Sequence, residues 1–152
     1  RPDSDAAREL IAELESLLLG TIIRYPEHAA LLPAIPRHAF VLDEHIKILE
    51  VIERLLGESV TTHEALLLAL PEGMRETCNH LAFQAEISQE RIENQKERLN
   101  ELAVCARELE REWAREKLKT LAEDISRAEK SRDQTKLETL LQEFRAVSEK
   151  MR

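Results

Sequence analysis

The sequence predicts an all-α protein, and its composition and the placement of its helix breakers carry that prediction. Of 152 residues, 43% are hydrophobic and 34% are charged, while aromatic residues make up only 3%. Such a mixture is typical of long helices and coiled coils, whereas sheets favour β-branched and aromatic residues. Every Gly and Pro lies at or before Gly73, so the last 79 residues contain neither. The pattern predicts a compact bundle of short helices over residues 1–86, followed by long helices.

The first two helices of the predicted bundle are separated by proline. Helix one is expected to begin near Ser4, and its apolar residues recur every three or four positions. They are Leu10, Ile11, Leu14, Leu17, Leu18 and Ile22. Pro26 suits the first position of a short second helix, which we expect to end at Pro33.

Three more helices complete the predicted bundle. The third covers residues 43–56, and Gly57 is expected to be its C-cap. Its apolar face comprises Ile46, Leu49, Ile52 and Leu56. The stretch from Thr61 to Glu64 matches a capping box at the start of a fourth helix, and Pro71 begins a fifth. The apolar residues of that fifth helix are Met74, Leu81 and Phe83.

A long connecting helix is predicted over residues 87–130, about 60 Å long at ~1.5 Å per residue. Two runs of apolar residues follow it in steps of three and four. The first run is Leu99, Leu102, Ala106, Leu109 and Trp113, and the second is Leu118, Leu121, Ile125 and Ala128. The step from Trp113 to Leu118 breaks the register, so we expect the seam to change partner or twist there. A small bundle cannot cover a helix of this length.

The final helix is expected over residues 131–152. Its apolar seam is Leu137, Leu140, Phe144, Val147 and Met151. Ser131 and Gln134 match an S-x-x-Q capping box, which would start this helix. Because so short a turn joins two amphipathic helices, we predict that they form an antiparallel hairpin.

The charge distribution argues against nucleic acid as a direct partner. The formal net charge is −8; residues 1–85 carry 14 acidic and 7 basic side chains, and residues 86–152 carry 16 acidic and 15 basic. Binding to a phosphate backbone needs clustered Lys and Arg, which neither half has. The sequence also lacks a run of 18 apolar residues and a signal peptide. Because the chain opens on Arg1 and not on Met, we expect it to be a fragment of a longer protein.

The sequence contains no recognisable pattern for catalysis or cofactor binding. Cys78 and Cys105 lack CxxC spacing, which indicates a reducing compartment and no disulfide framework. The five histidines are scattered without a metal-ligand spacing, and we expect them to be solvated or to cap helices. The many carboxylates fit solvated helix faces better than acid/base pairs. We therefore predict a chain that is not an enzyme and holds no cofactor or metal.

Two stretches resemble the C-terminal helicase-binding region of bacterial DnaG-type DNA primase. Residues 13–26 read ELESLLLGTIIRYP, and Phe40, His45, Ile48 and Ile52 follow. This stretch is also similar to the N-terminal domain of the DnaB-type replicative helicase, which shares the helical-bundle architecture. Residues 130–144, KSRDQTKLETLLQEF, follow the long helix and are similar to the terminal hairpin of the primase. A helicase N-terminal domain and a helical oligomerisation scaffold are the alternatives.

The resemblance implies a protein-interaction module without polymerase chemistry. In that family a helical bundle is joined by a long helix to a terminal hairpin. The region docks on the N-terminal domain of the hexameric replicative helicase and brings primer synthesis to the replication fork in the bacterial cytoplasm. Some members also contact single-stranded-DNA-binding protein. The resemblance further implies no cofactor, and we expect a monomer or weak dimer when the chain is alone.

We place the partner-binding surface on the outer flank of the final helix and on its turn, because two helices alone leave apolar side chains in water. The predicted contact residues are Arg132, Asp133, Lys136, Leu137, Leu141, Phe144, Arg145 and Ser148. Leu141 follows Leu140 directly and cannot share its seam position. Arg132 and Arg145 are expected to form a polar rim that steers the partner.

Overall fold

The computed structural model describes residues 5–151, and over this range the all-α prediction is confirmed. The α-helices there are α1 (Asp5–Arg24), α2 (Asp43–Gly57), α3 (His63–Ala69), α4 (Glu72–Ser88), α5 (Gln95–Ser131) and α6 (Gln134–Lys150). Two 3₁₀ helices, Pro26–Ala34 and Arg37–Ala39, connect α1 to α2. The predicted start of helix one near Ser4 lies outside the described residues.

Helix α1 lies at the centre of the bundle, where it packs against α2, α3, α4 and α5. Its fully buried side chains include Ile11, Leu18, Leu19, Ile22 and Ile23. Gly20 faces α4 so closely that a Cβ added there would meet the carbonyl oxygen of Leu81 at 2.2 Å. The α1–α4 contact therefore requires glycine at this position because the α4 backbone occupies the space of a side chain.

Several predicted helix ends in the bundle are displaced. The second helix starts at Pro26 as predicted, but it is a 3₁₀ helix that ends at Ala34. Gly57 is the last residue of α2, and the positive φ of 72° falls on Ser59 instead. Thr62 caps α3 by accepting a hydrogen bond from the amide of Ala65 at 3.1 Å, so the predicted capping box is one residue out of register.

The long helix begins later than predicted. Helix α4 continues to Ser88, residues 89–94 form a turn and an irregular segment, and α5 starts at Gln95. The Asn94 side chain accepts from the amide of Lys96 at 2.7 Å. Asn is a strong N-cap because its side chain satisfies an amide that has no partner in the first turn. The predicted start of the connecting helix at residue 87 is therefore wrong.

Helix α5 contributes to two hydrophobic cores. Its first half adds Leu102, Cys105, Ala106 and Leu109 to the bundle core. Its second half adds Ala114, Leu121 and Ala128 to a smaller core shared with Leu140 and Val147 of α6. Half-buried Trp113 packs against both cores, next to the register break predicted after it. The first half of α5 is thus part of the bundle and not an uncovered connector.

Four side chains join the bundle to the end of α6. The His38 ring meets the Trp113 ring edge-on, with centroids 4.6 Å apart. Glu110 bridges the two regions, with His38 Nε2 at 2.6 Å from Oε2 and Lys150 Nζ at 3.8 Å from Oε1. Lys150 also lies 5.2 Å from the centroid of the Trp113 ring, within cation–π range. These contacts set the position of the C-terminal end of α6 against the bundle.

Candidate protein-interaction surface

The turn between α5 and α6 is built by two of the predicted contact residues. Arg132 adopts the left-handed conformation, with φ 57° and ψ 34°, and ends α5. Asp133 is the N-cap of α6, and its side chain accepts from the amide of Lys136 at 3.1 Å. Arg132 and Asp133 therefore have structural roles in the turn, whatever else they contact.

The capping box predicted from Ser131 to Gln134 is wrong. Ser131 is the last residue of α5, and its hydroxyl donates to the carbonyl of Ala128 at 3.2 Å. Asp133 takes the capping position because Arg132 reverses the chain before it. Aspartate is among the best N-cap residues, so Asp133 can cap α6 two positions after the predicted cap, Ser131.

We expect Asp133→Ala to lower the free energy of unfolding by about 0.5–2 kcal/mol, the usual range for loss of an N-cap. The measurement is urea unfolding followed by circular dichroism. Asp133→Asn is the matched control, since its amide oxygen can still accept from the amide of Lys136. Equal losses in the two variants would contradict a capping role for Asp133.

Four of the predicted contact residues form one stripe along α6. Leu137, Leu141, Phe144 and Ser148 follow one another at steps of four, three and four. Leu137 and Phe144 are half-buried against the smaller core, whereas Leu141 is 40% exposed. Exposure therefore differs within the stripe: Leu137 and Phe144 lie at the seam of the hairpin, and Leu141, its most exposed large apolar side chain, lies at the outer surface.

Cationic side chains accompany this stripe. Arg132, Lys136 and Arg145 are all exposed, and none of them forms an ion pair within residues 5–151. On the helix face of Leu141 itself, the nearest exposed charged side chains are Arg145, four residues after it, and Glu138, three residues before it.

The most exposed large apolar side chains lie on the bundle and not on α6. Leu68 on α3 is 74% exposed, and Phe83 and Ile87 on α4 are 60% and 56% exposed, all more than Leu141. Phe83 was predicted to belong to the apolar side of its helix, but it faces away from the buried residues of α4.

A buried polar contact inside the bundle was missed. Glu15 on α1 is fully buried; its Oε1 lies 2.7 Å from Nδ1 of buried His45 on α2, and its Oε2 accepts from the amide of Val41 at 2.5 Å. The signal was present, since Glu15 falls in register with Ile11, four positions before it, and Leu18, three after it. A charged residue in an apolar stripe indicates a buried polar partner.

Of two further histidines, one caps a helix as expected and one does not. His63 Nδ1 lies 2.8 Å from the carbonyl oxygen of Ile23 in the last turn of α1, which ties α3 to α1. His28 departs from the expectation because it is buried; burial is the main cause that lowers its pKa, and its Nε2 has no hydrogen-bond partner in the described part of the chain.

Both cysteine thiols are buried and poorly nucleophilic. Burial raises the pKa of Cys78 to about 11 and that of Cys105 to about 12. Cys105 Sγ also donates to the carbonyl of Leu14 at 3.5 Å. Because the thiolate is the reactive form, both side chains act as small apolar residues of the bundle core near neutral pH.

Residues 5–151 contain neither a metal-ligand cluster nor a membrane-spanning helix. No group of three or more His, Cys, Asp or Glu side chains there is arranged to hold a metal ion. Within the same range, no helix combines the length and apolar character needed to cross a membrane. The described surface carries exposed apolar side chains on α6, at Leu141, and on α4, at Phe83 and Ile87.

Comparisons with protein-family models, with curated proteins and with solved structures gave no match for this chain.

Proposed function

We propose that this chain is the helicase-binding module of a bacterial primase, and that α6 and its turn dock on the N-terminal domain of the hexameric replicative helicase. The observation that carries the proposal is the exposed Leu141 on the outer flank of α6, beside Leu137 and Phe144 and one turn before the exposed Arg145. The sequence resemblance of residues 13–26 and 130–144 supplies the identity of the partner. Such a module recruits primer synthesis to the fork and performs no chemistry itself.

The energetics favour a small apolar contact with a charged rim. Burying an exposed Leu side chain stabilises a complex by roughly 1.5–3 kcal/mol. Arg132, Lys136 and Arg145 would accelerate encounter with an acidic surface more than they would slow dissociation. The proposal therefore assigns affinity to the Leu137–Leu141–Phe144 stripe and steering to the three cations.

Leu141→Ala tests the proposed surface. We expect it to raise the Kd for the helicase N-terminal domain about tenfold, in line with interface residues that contribute more than ~1 kcal/mol. Isothermal titration calorimetry measures the change, and circular dichroism checks that the variant keeps its helical content. Val104→Ala is the matched control, because Val104 is 43% exposed on α5, outside the stripe. Equal Kd values for Leu141→Ala and wild type would contradict the assignment of this surface.

The proposal also predicts that nucleic acid is not bound directly. The net charge of −8 and the lack of a basic cluster remove the electrostatic contribution on which nonspecific binding depends. Fluorescence anisotropy with a labelled single-stranded oligonucleotide at physiological salt should show no binding at micromolar protein concentrations. A micromolar Kd would refute this part of the proposal.

A further inference from the structure

The outward face of α4 is an apolar surface that the proposed function does not use. The buried side of this helix comprises Cys78, Leu81, Ala82 and Ala85. Phe83 and Ile87 lie on the opposite side of the helix, one turn apart, with 60% and 56% of their surface exposed. Single exposed apolar residues are common, but two large ones one turn apart on the same helix face form a patch.

The patch lies next to two depressions in the surface. Ile87 borders a groove between α1 and α4, whose other lining residues are Ala12, Glu13, Ser16, Leu17, Gln84, Ala85 and Ser88. Phe83 borders a hollow on α4, which is otherwise lined by Glu76, Thr77, Asn79 and His80. An elongated apolar surface laid along α4 would contact both Phe83 and Ile87 and would enter the groove beside Ile87.

The charge around the patch is acidic. Helix α4 carries three Glu and one Arg, Arg75, and one of the three Glu, Glu86, pairs with Arg24 of α1 at 3.5 Å. The Arg75 guanidinium donates to the carbonyls of Leu70 and Leu68 at 3.2 and 2.9 Å, so it is directed towards α3. Glu76 beside Phe83 and Glu13 at the groove form no ion pair within residues 5–151. These carboxylates would attract a basic partner.

We propose that the α4 face is a second docking surface, which binds a basic amphipathic helix of another protein. Large apolar side chains of that helix, spaced by three or four residues, would cover Phe83 and Ile87 and fill the α1–α4 groove. Its Lys and Arg side chains would meet Glu76 and Glu13. A dimer in which the α4 faces of two copies pack together is disfavoured, because their two acidic rims would lie against each other. This inference does not depend on the proposed role of α6.

The test uses a fluorescein-labelled amphipathic helical peptide of leucine and lysine, titrated with the whole chain and followed by fluorescence anisotropy. We expect Phe83→Ala to raise its Kd about tenfold and Glu76→Lys to raise it as well, with a weaker dependence on salt. The matched controls are Leu141→Ala, an exposed Leu on α6, and Glu138→Lys, an exposed Glu on α6; both should leave the Kd within about twofold of wild type. A peptide with glutamate in place of lysine should not bind.

Three results would overturn the proposal. The first is no binding of the lysine peptide to the wild-type chain up to about 1 mM. The second is an unchanged Kd for Phe83→Ala, and the third is a loss with Leu141→Ala as large as with Phe83→Ala. Because Phe83 is exposed, its replacement is expected to leave the fold intact, and circular dichroism of each variant separates a loss of binding from unfolding.

Discussion

Glu15→Ala is expected to lower the free energy of unfolding by about 2–6 kcal/mol, because it takes the hydrogen-bond partner from two polar groups at about 1–3 kcal/mol each. These groups are Nδ1 of the buried His45 and the partly buried amide of Val41, both of which the Glu15 carboxylate now meets. Each unsatisfied polar group then retains its cost of desolvation. Urea unfolding followed by far-ultraviolet circular dichroism measures the loss.

Glu13→Ala is the control for this prediction, because Glu13 is exposed on the same helix, half a turn away. It should change the free energy of unfolding by no more than about 0.5 kcal/mol. A Glu15→Ala variant as stable as Glu13→Ala would show that Glu15 does not hold α2 and the preceding 3₁₀ turn against α1.

Leu109→Ala is expected to destabilise the chain by about 2–5 kcal/mol, as do other large-to-small changes in a closed core. Leu109 is fully buried on α5 among residues of the bundle core. Its removal leaves a cavity between α5 and the bundle. The midpoint of urea unfolding should fall, and both spectroscopic helicity and Trp113 fluorescence should report the transition.

Leu99→Ala, on the same helix but 37% exposed, is the comparison variant. It should lose less than about 1.5 kcal/mol, because less of its surface is buried by folding. An equal loss of unfolding free energy in Leu109→Ala and Leu99→Ala would contradict the packing of the first half of α5 into the bundle. It would support the prediction of an uncovered connecting helix instead.

The seams of the two long helices could be predicted from spacing alone. Leu102, Ala106 and Leu109 on α5, and Leu140 and Val147 on α6, were predicted from steps of three and four, and all are buried. Leu99, the first residue of the predicted α5 seam, is instead 37% exposed. Long periodic segments give strong signals because many positions agree. The start of α5 could not be located in the same way, since the break after Ser88 depends on the Asn94 cap and not on the apolar pattern.

The buried face of α2 differs from the predicted face, and it includes a polar residue. Of the predicted face, Leu49 and Ile52 are buried, whereas Ile46 and Leu56 are only half-buried. The buried side includes His45, Ile48 and Leu55 instead. The helix is turned so that His45 reaches Glu15 on α1, and a pairing of residues 30 positions apart is not visible in local periodicity.

The exposure of Leu141 on α6 was predicted from the sequence, whereas the exposed apolar surface on α4 was not. Leu141 follows a seam residue, so its outward position comes from helical geometry alone. Phe83 was assigned to the apolar residues of its helix, but it is 60% exposed. Its actual position depends on which side of α4 meets Gly20 of α1, and this is a tertiary contact that the sequence pattern does not encode.

The most direct test of the central proposal is size-exclusion chromatography with multi-angle light scattering, on the chain alone and mixed with the N-terminal domain of a hexameric replicative helicase from the same source. We predict that the chain alone has the mass of a monomer or weak dimer, and that the mixture yields a co-eluting complex. A stable larger oligomer of the chain alone would instead favour a helicase N-terminal domain or an oligomerisation scaffold. Separate elution of the two proteins at micromolar concentrations would contradict the proposed function.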